Sequence, residues 1–467
     1  MTADPEIMVA DSRAAAPAIA AQPSSALVGP EPPRVSAWRE FLTRWTPEYA
    51  SHAKIVNGSI ILLIGSIVVS LANFGYNIGV ARMLGPSDFS HAAAAVTILM
   101  LISAITLAFQ LVCTKLIARA EAVEAKAAVF QHLMKRAWII GVGLGVFMLL
   151  TDSVLTAYLR LSSPWIIILL AVGLTIYVPL GVKRGGLQGT CRFRGLAVNM
   201  GAEAITKFAG ALVLIVMGFG VLGAVAAISA SVILAFWLPD KATELRGPAI
   251  AGPAGHVGEG RQAIVFFVGQ VIISNIDILM VKHFFSPDNA GLYAAIALVG
   301  RLLYFAAWSV VSAMFPVSAE NKEDNHSGSL LAVPLLLVMA MSAIFVALLA
   351  YFPTLVFQSL FGAHFHSAVG DLNLLLSMNA AATGVYAIAV VLITYEMSRS
   401  IANTGWLQLV VSGLIVLGIT WFHSTLLEVI VVQQVLRVVL LIAVALPFVK
   451  VWATAGGGVH EEATARY

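Results

Sequence analysis

Charged residues are scarce in this chain of 467 residues. Asp, Glu, Lys and Arg together make up only 11% of the sequence, whereas 60% of the residues are hydrophobic. A soluble domain is closer to about 25% charged, because its surface must face water. The scarcity of charge therefore argues against a large soluble protein with buried helices. The mean hydropathy of +0.92 indicates a polytopic membrane protein instead.

Cysteines and catalytic motifs are also nearly absent. The topology predicted below puts the two cysteines, Cys113 and Cys191, at cytoplasmic ends of membrane spans, where a structural disulfide is not expected. Gly141, Gly143 and Gly145 superficially suggest a nucleotide loop, but they lie in an apolar span with no strand before them, which favours close helix packing. We find no P-loop and no catalytic constellation. The sequence therefore predicts no enzyme, no cofactor and no direct use of ATP.

Long apolar segments are what the sequence has in abundance. A hydrocarbon core of about 30 Å needs roughly 20 helical residues, because each residue rises about 1.5 Å. The predicted spans are 56–79, 89–112, 138–159, 163–182, 195–217, 219–238, 262–284, 289–315, 330–352, 371–395, 402–422 and 426–449. Lipid offers the backbone no hydrogen-bond partner, and the alternating pattern of a barrel is absent. We therefore predict an all-α integral membrane protein with about twelve spans.

The distribution of Lys and Arg predicts the orientation. An even number of spans puts both termini on one side, and most of the 27 basic residues then fall on that same side. They include Lys115, Arg119, Lys126, Lys135 and Arg136 in one loop and Lys183, Arg184, Arg192 and Arg194 in the next. Only Arg82, Arg160 and Lys282 fall on the other side. The positive-inside rule therefore predicts that both termini are cytoplasmic. This bias also explains the net charge of +3, so no nucleic-acid partner is expected.

The composition along the chain predicts six segments. In order, they are a disordered cytoplasmic tail (1–33), an amphipathic interfacial helix (34–54), an N-terminal six-helix lobe (55–238), a cytoplasmic linker (239–260), a C-terminal six-helix lobe (261–450) and a cytoplasmic tail (451–467). The apolar stripe of the second segment comprises Trp38, Phe41, Leu42, Trp45 and Tyr49. This stripe suits a helix on the inner leaflet, and equally a helix packed on cytoplasmic loops.

The two lobes echo each other in sequence. Asn77-Ile-Gly-Val-Ala-Arg82-Met-Leu-Gly-Pro86 in the first resembles Asp277-Ile-Leu-Met-Val-Lys282-His-Phe-Phe-Ser-Pro287 in the second. In each, a span ends with a basic residue, a proline turn follows, and the chain re-enters through small residues. Six spans return the chain to its starting side, so we predict a parallel internal repeat, with the two lobes related by an axis along the membrane normal.

Three motifs occur in order along these spans. They are Ala81-Arg82-Met-Leu-Gly85-Pro86-Ser-Asp88-Phe89, then Leu187-Gln188-Gly189-Thr-Cys-Arg192-Phe193, then Asn275-Ile-Asp277-Ile-Leu-Met-Val-Lys282-His-Phe-Phe-Ser-Pro287-Asp-Asn-Ala-Gly291-Leu-Tyr293, followed by Gly300-Arg301 and Phe315-Pro316. Over roughly residues 55–450 the chain resembles the polysaccharide and lipid-linked oligosaccharide flippases of the multidrug/oligosaccharidyl-lipid/polysaccharide exporter superfamily. Val317 stands where that family usually has Arg, so one cytoplasmic basic contact is missing.

The resemblance implies a function and its partners. It implies a protein of the bacterial inner (plasma) membrane that flips or exports lipid-linked oligosaccharide or polysaccharide precursors by alternating access. The lipid-linked glycan is then the substrate, membrane lipid and glycan-assembly enzymes are partners, and H⁺ or Na⁺ is the candidate coupling ion.

Three basic residues fall inside predicted spans: Lys207, Arg301 and Arg437. A charge at mid-membrane costs about 2.5–3.5 kcal/mol on insertion scales, so each needs a partner or an aqueous cavity. Glu203 precedes Lys207 by one helical turn, and the two could simply neutralise each other. Arg301 and Arg437 have no acidic residue within a turn, which favours a cavity between the lobes. Guanidinium groups there would suit the phosphates of a glycan carrier.

Polar side chains on two repeat-related spans complete the predicted cleft. Asn73 and Asn77 lie on the first span, and Gln270 and Asp277 lie on the seventh. Their alternative role is hydrogen bonding between helices, worth about 0.6–2 kcal/mol each.

Other functions remain open from the sequence. A cation-coupled multidrug exporter of the same superfamily would favour an acidic cleft, and the basic residues inside the spans argue against it. A membrane glycosyltransferase or polymer ligase would need a catalytic carboxylate and a substantial external loop. A scaffold for envelope enzymes would not require buried charges.

Overall fold

The computed structural model describes residues 48–239, 245, 261–320, 328–362, 365, 372–399 and 404–464. The predicted tail 1–33, most of the predicted interfacial helix 34–54 and nearly all of the linker 239–260 lie outside these residues. The chain divides into Met1–Lys54 and Ile55–Tyr467, and the second unit contains both predicted lobes. All regular structure in the described residues is helical.

The described residues of the first half form six α-helices and one short π-helical turn. Its helices are α1 (Glu48–Arg119), α2 (Val123–Leu150), α3 (Asp152–Tyr158), α4 (Trp165–Gly189), α5 (Phe193–Leu214) and α6 (Gly220–Trp237). The π-helical turn Ile215–Phe219 joins α5 to α6.

Eight helices are formed by the residues of the second half that the structure describes. They are α7 (Arg261–Ile273), α8 (Ile276–Phe284), α9 (Pro287–Glu320), α10 (Gly328–Tyr351), α11 (Pro353–Phe361), α12 (Leu372–Arg399), α13 (Leu407–Trp421) and α14 (Leu426–Thr464).

These helices make twelve membrane crossings. Within the described residues, 9 helical segments are long and apolar enough to cross a bilayer, and α13 is a shorter apolar helix. Two of the nine are long enough for two crossings each. The first breaks at Gly85, whose φ is 76°, followed by Pro86. The second breaks at Gly218, whose φ is 92°, and Gly220, whose φ is 52°. Positive φ favours glycine, so these residues allow the chain to turn back at the membrane surface. The fold is that of an all-α integral membrane protein.

The internal repeat predicted from the sequence is present in the packing. We number the spans in chain order, with span 7 formed by α7 and α8 together. In the first half, span 1 packs on span 5, and spans 2 and 3 both pack on span 4. In the second half, span 7 packs on span 11, and spans 8 and 9 both pack on span 10. The corresponding contacts in the two halves are as follows: Gly75–Phe208 (spans 1 and 5) and Gly269–Gln408 (spans 7 and 11), Gly181–Thr106 (spans 4 and 2) and Gly300–Asn379 (spans 8 and 10), and Gly141–Thr175 (spans 3 and 4) and Gly384–Ser342 (spans 10 and 9).

Small residues permit these close approaches, as helix packing in lipid requires. A Cβ atom on Gly141 or Gly145 would lie 2.2 Å or 2.1 Å from an oxygen of Thr175, whereas Gly143 has nothing within 4 Å. Close helix packing is therefore confirmed for two of the three glycines that superficially suggested a nucleotide loop.

Several predicted span limits need correction. The third span runs over Val123–Leu150 and not 138–159, and the short helix α3 follows it. Lys126, Lys135 and Arg136 therefore lie in helix α2 and not in a loop. Helix α14 continues to Thr464, past the predicted end of its span at 449 and of the lobe at 450. Hydropathy ends a span where charge begins, whereas helical hydrogen bonding continues beyond the bilayer.

Lys183 and Arg184 also lie in a helix and not in the predicted loop. Both are buried in the last turns of α4. The Lys183 ammonium donates to the carbonyl oxygens of Ala235, Phe236 and Leu238 at 3.3, 2.6 and 2.7 Å. These carbonyls end helix α6 and have no partner within that helix, so Lys183 serves as its C-terminal cap.

The two halves are joined at the end of the spans opposite to Arg119 and Thr464. Three side chains make the hydrogen bonds recorded between described residues of the two halves: Arg82 bonds to Ser359 and Leu360, Lys282 to Ser90, and His283 to Tyr158. Phe89 of the first half also meets Phe365 of the second, with ring centroids 6.2 Å apart.

Candidate functional site

A small polar pocket lies inside the second half. Its cavity volume is about 30 Å³, which is enough for about one water molecule. Its lining combines charged, hydroxyl and amide side chains: Ser274, Asp277, Ala297, Arg301, Tyr304, Asn379, Thr383, Tyr386 and Arg437. All of these residues belong to the second half.

The interruption of span 7 creates this pocket. Helix α7 ends at Ile273 and helix α8 begins at Ile276, so the span is broken at Ser274 and Asn275. The Asn275 amide partly repairs the break by donating to the Val271 carbonyl at 2.7 Å. Broken helices are tolerated at membrane depth where the freed backbone lines a cavity. The break places Asp277 in the first turn of α8, where a carboxylate is favoured by the helix dipole.

Asp277 is held by a chain of hydrogen bonds. The Tyr293 hydroxyl donates to Asp277 Oδ2 at 2.7 Å, and Gln433 Nε2 donates to the Tyr293 oxygen at 2.5 Å. Asp277 Oδ1 is buried and has no protein partner. One carboxylate oxygen therefore remains free to accept a proton, a water or a cation.

The two arginines of the pocket are held by neutral amides. Arg301 donates to Asn275 Oδ1 at 2.9 Å, and Arg437 donates to Gln433 Oε1 at 3.0 Å. The Arg437 guanidinium also lies 5.7 Å from the centre of the Tyr386 ring, and its Nε is buried without a partner. With one carboxylate and two guanidinium groups, the lining carries net positive charge. This arrangement can bind an anionic group. When the pocket is empty, Asp277 can lower the free-energy cost of burying the two guanidinium charges.

Gln270 lies next to this pocket. Its amide donates to the Tyr304 hydroxyl, and Tyr304 stacks on Tyr386 with ring centroids 5.9 Å apart. Of the predicted site residues, the structure thus brings together Gln270, Asp277, Arg301 and Arg437. Asp277 compensates the charge of the arginines from a neighbouring helix, which sequence spacing alone could not reveal.

The predicted site residues of the first half form a separate group. Glu203 forms an ion pair with Arg184, and its charge also acts on the nearby Lys207, so Glu203 compensates two basic residues and not Lys207 alone. Arg184 also donates to Asn199 Oδ1 at 2.9 Å, and Asn199 donates to the Ala235 carbonyl at 2.6 Å. Arg184 suits this position because its planar guanidinium group can donate to two acceptors on α5, Asn199 and Glu203, at the same time.

Lys207 and the two asparagines of span 1 have different surroundings. Lys207 is buried, with its ammonium 5.4 Å from the centre of the Tyr76 ring. Asn77 donates to the Asn73 carbonyl at 2.8 Å, and Asn73 Oδ1 is buried without a partner. No recorded hydrogen bond between described residues links this group to the pocket of the second half. A substrate-binding role for either group remains a prediction.

Sequence reasoning missed several residues of the pocket. The charged groups are positioned by Tyr293, Tyr386 and Gln433. These residues are uncharged, so their presence in an apolar span does not by itself indicate a site. One local signal was available, because Gln433 precedes Arg437 by one helical turn. Within the described residues, no group of three or more His, Cys, Asp or Glu could hold a metal ion.

Comparison with solved structures identifies the fold. The chain is similar to a multidrug resistance MATE family transporter of the MOP superfamily in its inward-facing conformation, with a TM-score of 0.64 and 17% identity over 84% of this chain and 98% of the other. It is also similar to such a transporter in its outward-facing conformation, with a TM-score of 0.60 and 18% identity over 86% and 96%. This chain has the fold of MATE transporters.

A third neighbour concerns the polarity of the binding site. It is a MOP superfamily transporter from Pyrococcus furiosus, described as having a binding pocket of reverse polarity that suggests a different function. Its TM-score is 0.52 at 17% identity, over 86% of this chain and 96% of the other. No family model and no curated protein matches the chain.

Proposed function

We propose that this protein is a membrane transporter that works by alternating access. One observation carries the proposal: two repeat-related six-span halves are hydrogen-bonded to each other at one end. The shared fold supports it, because solved neighbours are described in both inward-facing and outward-facing conformations. Rocking of one half against the other exchanges which end is closed.

The closed end defines the proposed state. With both termini cytoplasmic, as the positive-inside rule predicts, the joined end faces outward. The structure is then the inward-facing state of the transport cycle, ready to receive substrate from the cytoplasm of a bacterial cell.

We propose export of small organic molecules as the leading function. The neighbours support it because they are described as multidrug resistance transporters, which is the alternative that the sequence left second. In this proposal Asp277 is the coupling group. Its free Oδ1 faces a pocket the size of one water, where a proton or Na⁺ could exchange. Binding there would alter the contacts of Tyr293 and Gln433, and so the packing of spans 8 and 12.

A lipid-linked glycan flippase is the second candidate. The observation that favours it is the net positive lining of the pocket, which holds Arg301 and Arg437 with one carboxylate. The archaeal neighbour supports the idea that this fold accommodates binding pockets of different polarity. Two guanidinium groups suit a phosphate better than an organic cation.

Two parallel transport assays separate the candidates. Purified protein in vesicles is tested for movement of a fluorescent organic cation, and in a second set for flipping of a fluorescent pyrophosphate-linked glycan. We expect transport of the organic cation, and its loss in Asp277→Asn. The exposed Arg194 lies outside the pocket, so Arg194→Gln is the matched control and should transport normally.

The outcomes decide between the two functions. Glycan flipping that fails in Arg301→Gln and Arg437→Gln, without transport of the cation, would establish the second candidate instead. If the wild type moves neither class of molecule under a proton or Na⁺ gradient, the transport proposal is contradicted.

A further inference from the structure

Arg82 bonds to the end of a helix in the opposite half. It lies at the end of span 1, and its Nε donates to the Leu360 carbonyl at 2.7 Å while a terminal nitrogen donates to the Ser359 carbonyl. Both carbonyls belong to the last turn of α11, the short helix between spans 9 and 10. The Gln358 carbonyl is already bonded to the Gly362 amide at 2.9 Å. Arg82 therefore satisfies two carbonyls that the helix leaves without internal partners.

His283 makes the corresponding contact in the other direction. It lies at the end of span 7, and its Nδ1 is 2.7 Å from the carbonyl oxygen of Tyr158. Because a carbonyl oxygen only accepts, His283 Nδ1 is the donor. Tyr158 is the last residue of α3, the short helix between spans 3 and 4. The His283 ring also stacks on the Tyr158 ring, with centroids 3.9 Å apart and planes 11° from parallel.

The repeat relates these two contacts. The sequence match aligns Arg82 with Lys282, the neighbour of His283, and α3 and α11 occupy the same position between the third and fourth spans of their halves. Each half thus contributes a donor from its first span and a helix C-terminus from its short helix. We propose that these reciprocal contacts form a two-part latch that holds the external end closed.

Helix electrostatics explains why the latch would bias the conformation. The C-terminus of a helix carries partial negative charge and unpaired carbonyls, both of which favour a cationic or N–H donor. Arg82 and His283 reach their acceptors only when the halves meet, so both contacts stabilise the closed end and are lost when it opens. A contact made in one state only shifts the equilibrium toward that state.

Removing either donor should open the external end. This inference rests on the proposed alternating access. The distance measurement does not require transport activity, so the latch and the proposed function can fail independently. Spin labels are placed at Val154 on α3 and Leu355 on α11, which are both exposed, after replacement of Cys113 and Cys191. Electron–electron double resonance then measures the distance distribution across the external end in full-length protein in lipid nanodiscs.

The variants are Arg82→Gln, His283→Phe and the double substitution. His283→Phe keeps a ring for stacking and removes the donor. We expect Arg82→Gln to raise the ratio of open to closed distances by about tenfold, since charged hydrogen bonds are among the stronger ones, and His283→Phe to raise it by about two- to tenfold, as for the loss of one N–H···O bond. The double substitution should have an approximately multiplicative effect, because the two contacts share no partner.

Arg160 supplies the matched control. It is an exposed basic residue of the same membrane side. Its charge repels that of Lys282 in the other half, so it does not stabilise the closed end. Arg160→Gln should therefore not raise the ratio of open to closed distances. Unchanged distances in both Arg82→Gln and His283→Phe, or an equal shift in Arg160→Gln, would overturn the latch. Shifted distances in a protein that transports nothing would support the latch and count against the proposed function.

Discussion

Gly291 is the residue at which a single methyl group should prevent closure of the external end. It lies near the start of span 8, against the start of span 2 in the other half. A Cβ atom at Gly291 would lie 1.8 Å from the Pro86 carbonyl oxygen, 2.5 Å from its carbonyl carbon and 2.9 Å from its Cα. All three atoms are backbone, so no side chain can rotate away. Gly291→Ala therefore forces the two halves apart at this point.

The size of the effect follows from that geometry. Non-bonded heavy atoms prefer separations of about 3.5–4.0 Å, so the backbones must separate by roughly 1.5–2 Å. Overpacking of this kind typically costs about 1–3 kcal/mol. Because the strain exists only in the closed state, it shifts the conformational equilibrium by about 5- to 150-fold toward the open state. Gly291→Ala should therefore fold and insert normally but populate the outward-open state.

The distance between labels at Val154 and Leu355 measures this shift. Gly413→Ala is the matched control, since Gly413 is a helical glycine of the same half and a Cβ atom added to it would meet nothing within 4 Å. We expect the long distance to dominate in Gly291→Ala and transport to fall. If Gly291→Ala keeps the short distance of the wild type, the close approach of spans 2 and 8 is not required and the reasoning is refuted.

Two further predictions concern stability and topology. Arg184→Leu leaves Glu203 as a buried charge without its ion-pair partner, so we expect a loss of about 3–5 kcal/mol, seen as a lower unfolding midpoint in detergent, whereas the exposed Arg194→Gln should unfold as the wild type does. Reporter fusions at Gly255 and at the C-terminus should read cytoplasmic and one at Phe365 external; an external signal at Gly255 would contradict both the predicted orientation and the two-lobe organisation.

Most of the fold could be predicted from the sequence. Apolar length gives the spans because the bilayer sets it, and the turn residues Gly85 and Pro86 mark where the first two spans separate. The match of Arg82 with Lys282 revealed the repeat, since both halves turn at the same membrane surface. The limits of the third span were wrong because α2 continues as a helix into residues too polar for the bilayer core.

The candidate site could be predicted only in part. Arg301 and Arg437 stood out because charge is costly in lipid, and the structure brings them together with Asp277 and Gln270. The sequence could not show whether these residues would meet the predicted site residues of the first lobe, since that depends on which helices pack together. Partners distant in sequence, such as Arg184 for Glu203, were missed for the same reason. The short helices α3 and α11 gave no signal, because their role depends on contacts with the opposite half.

The central claim is that the two halves close at one end while they open at the other. Paired distance measurements test this claim directly. One pair of labels at Val154 and Leu355 reports on the external end. A second pair at Cys191 and position 406 (Trp406→Cys, with Cys113 replaced) reports on the opposite end, where Cys191 and Trp406 are both exposed. The account predicts that conditions lengthening the external distance shorten the other, in the same protein in lipid nanodiscs. A single fixed distance at both ends, unchanged by substrate, by a change of pH or Na⁺, and by Gly291→Ala, would contradict it.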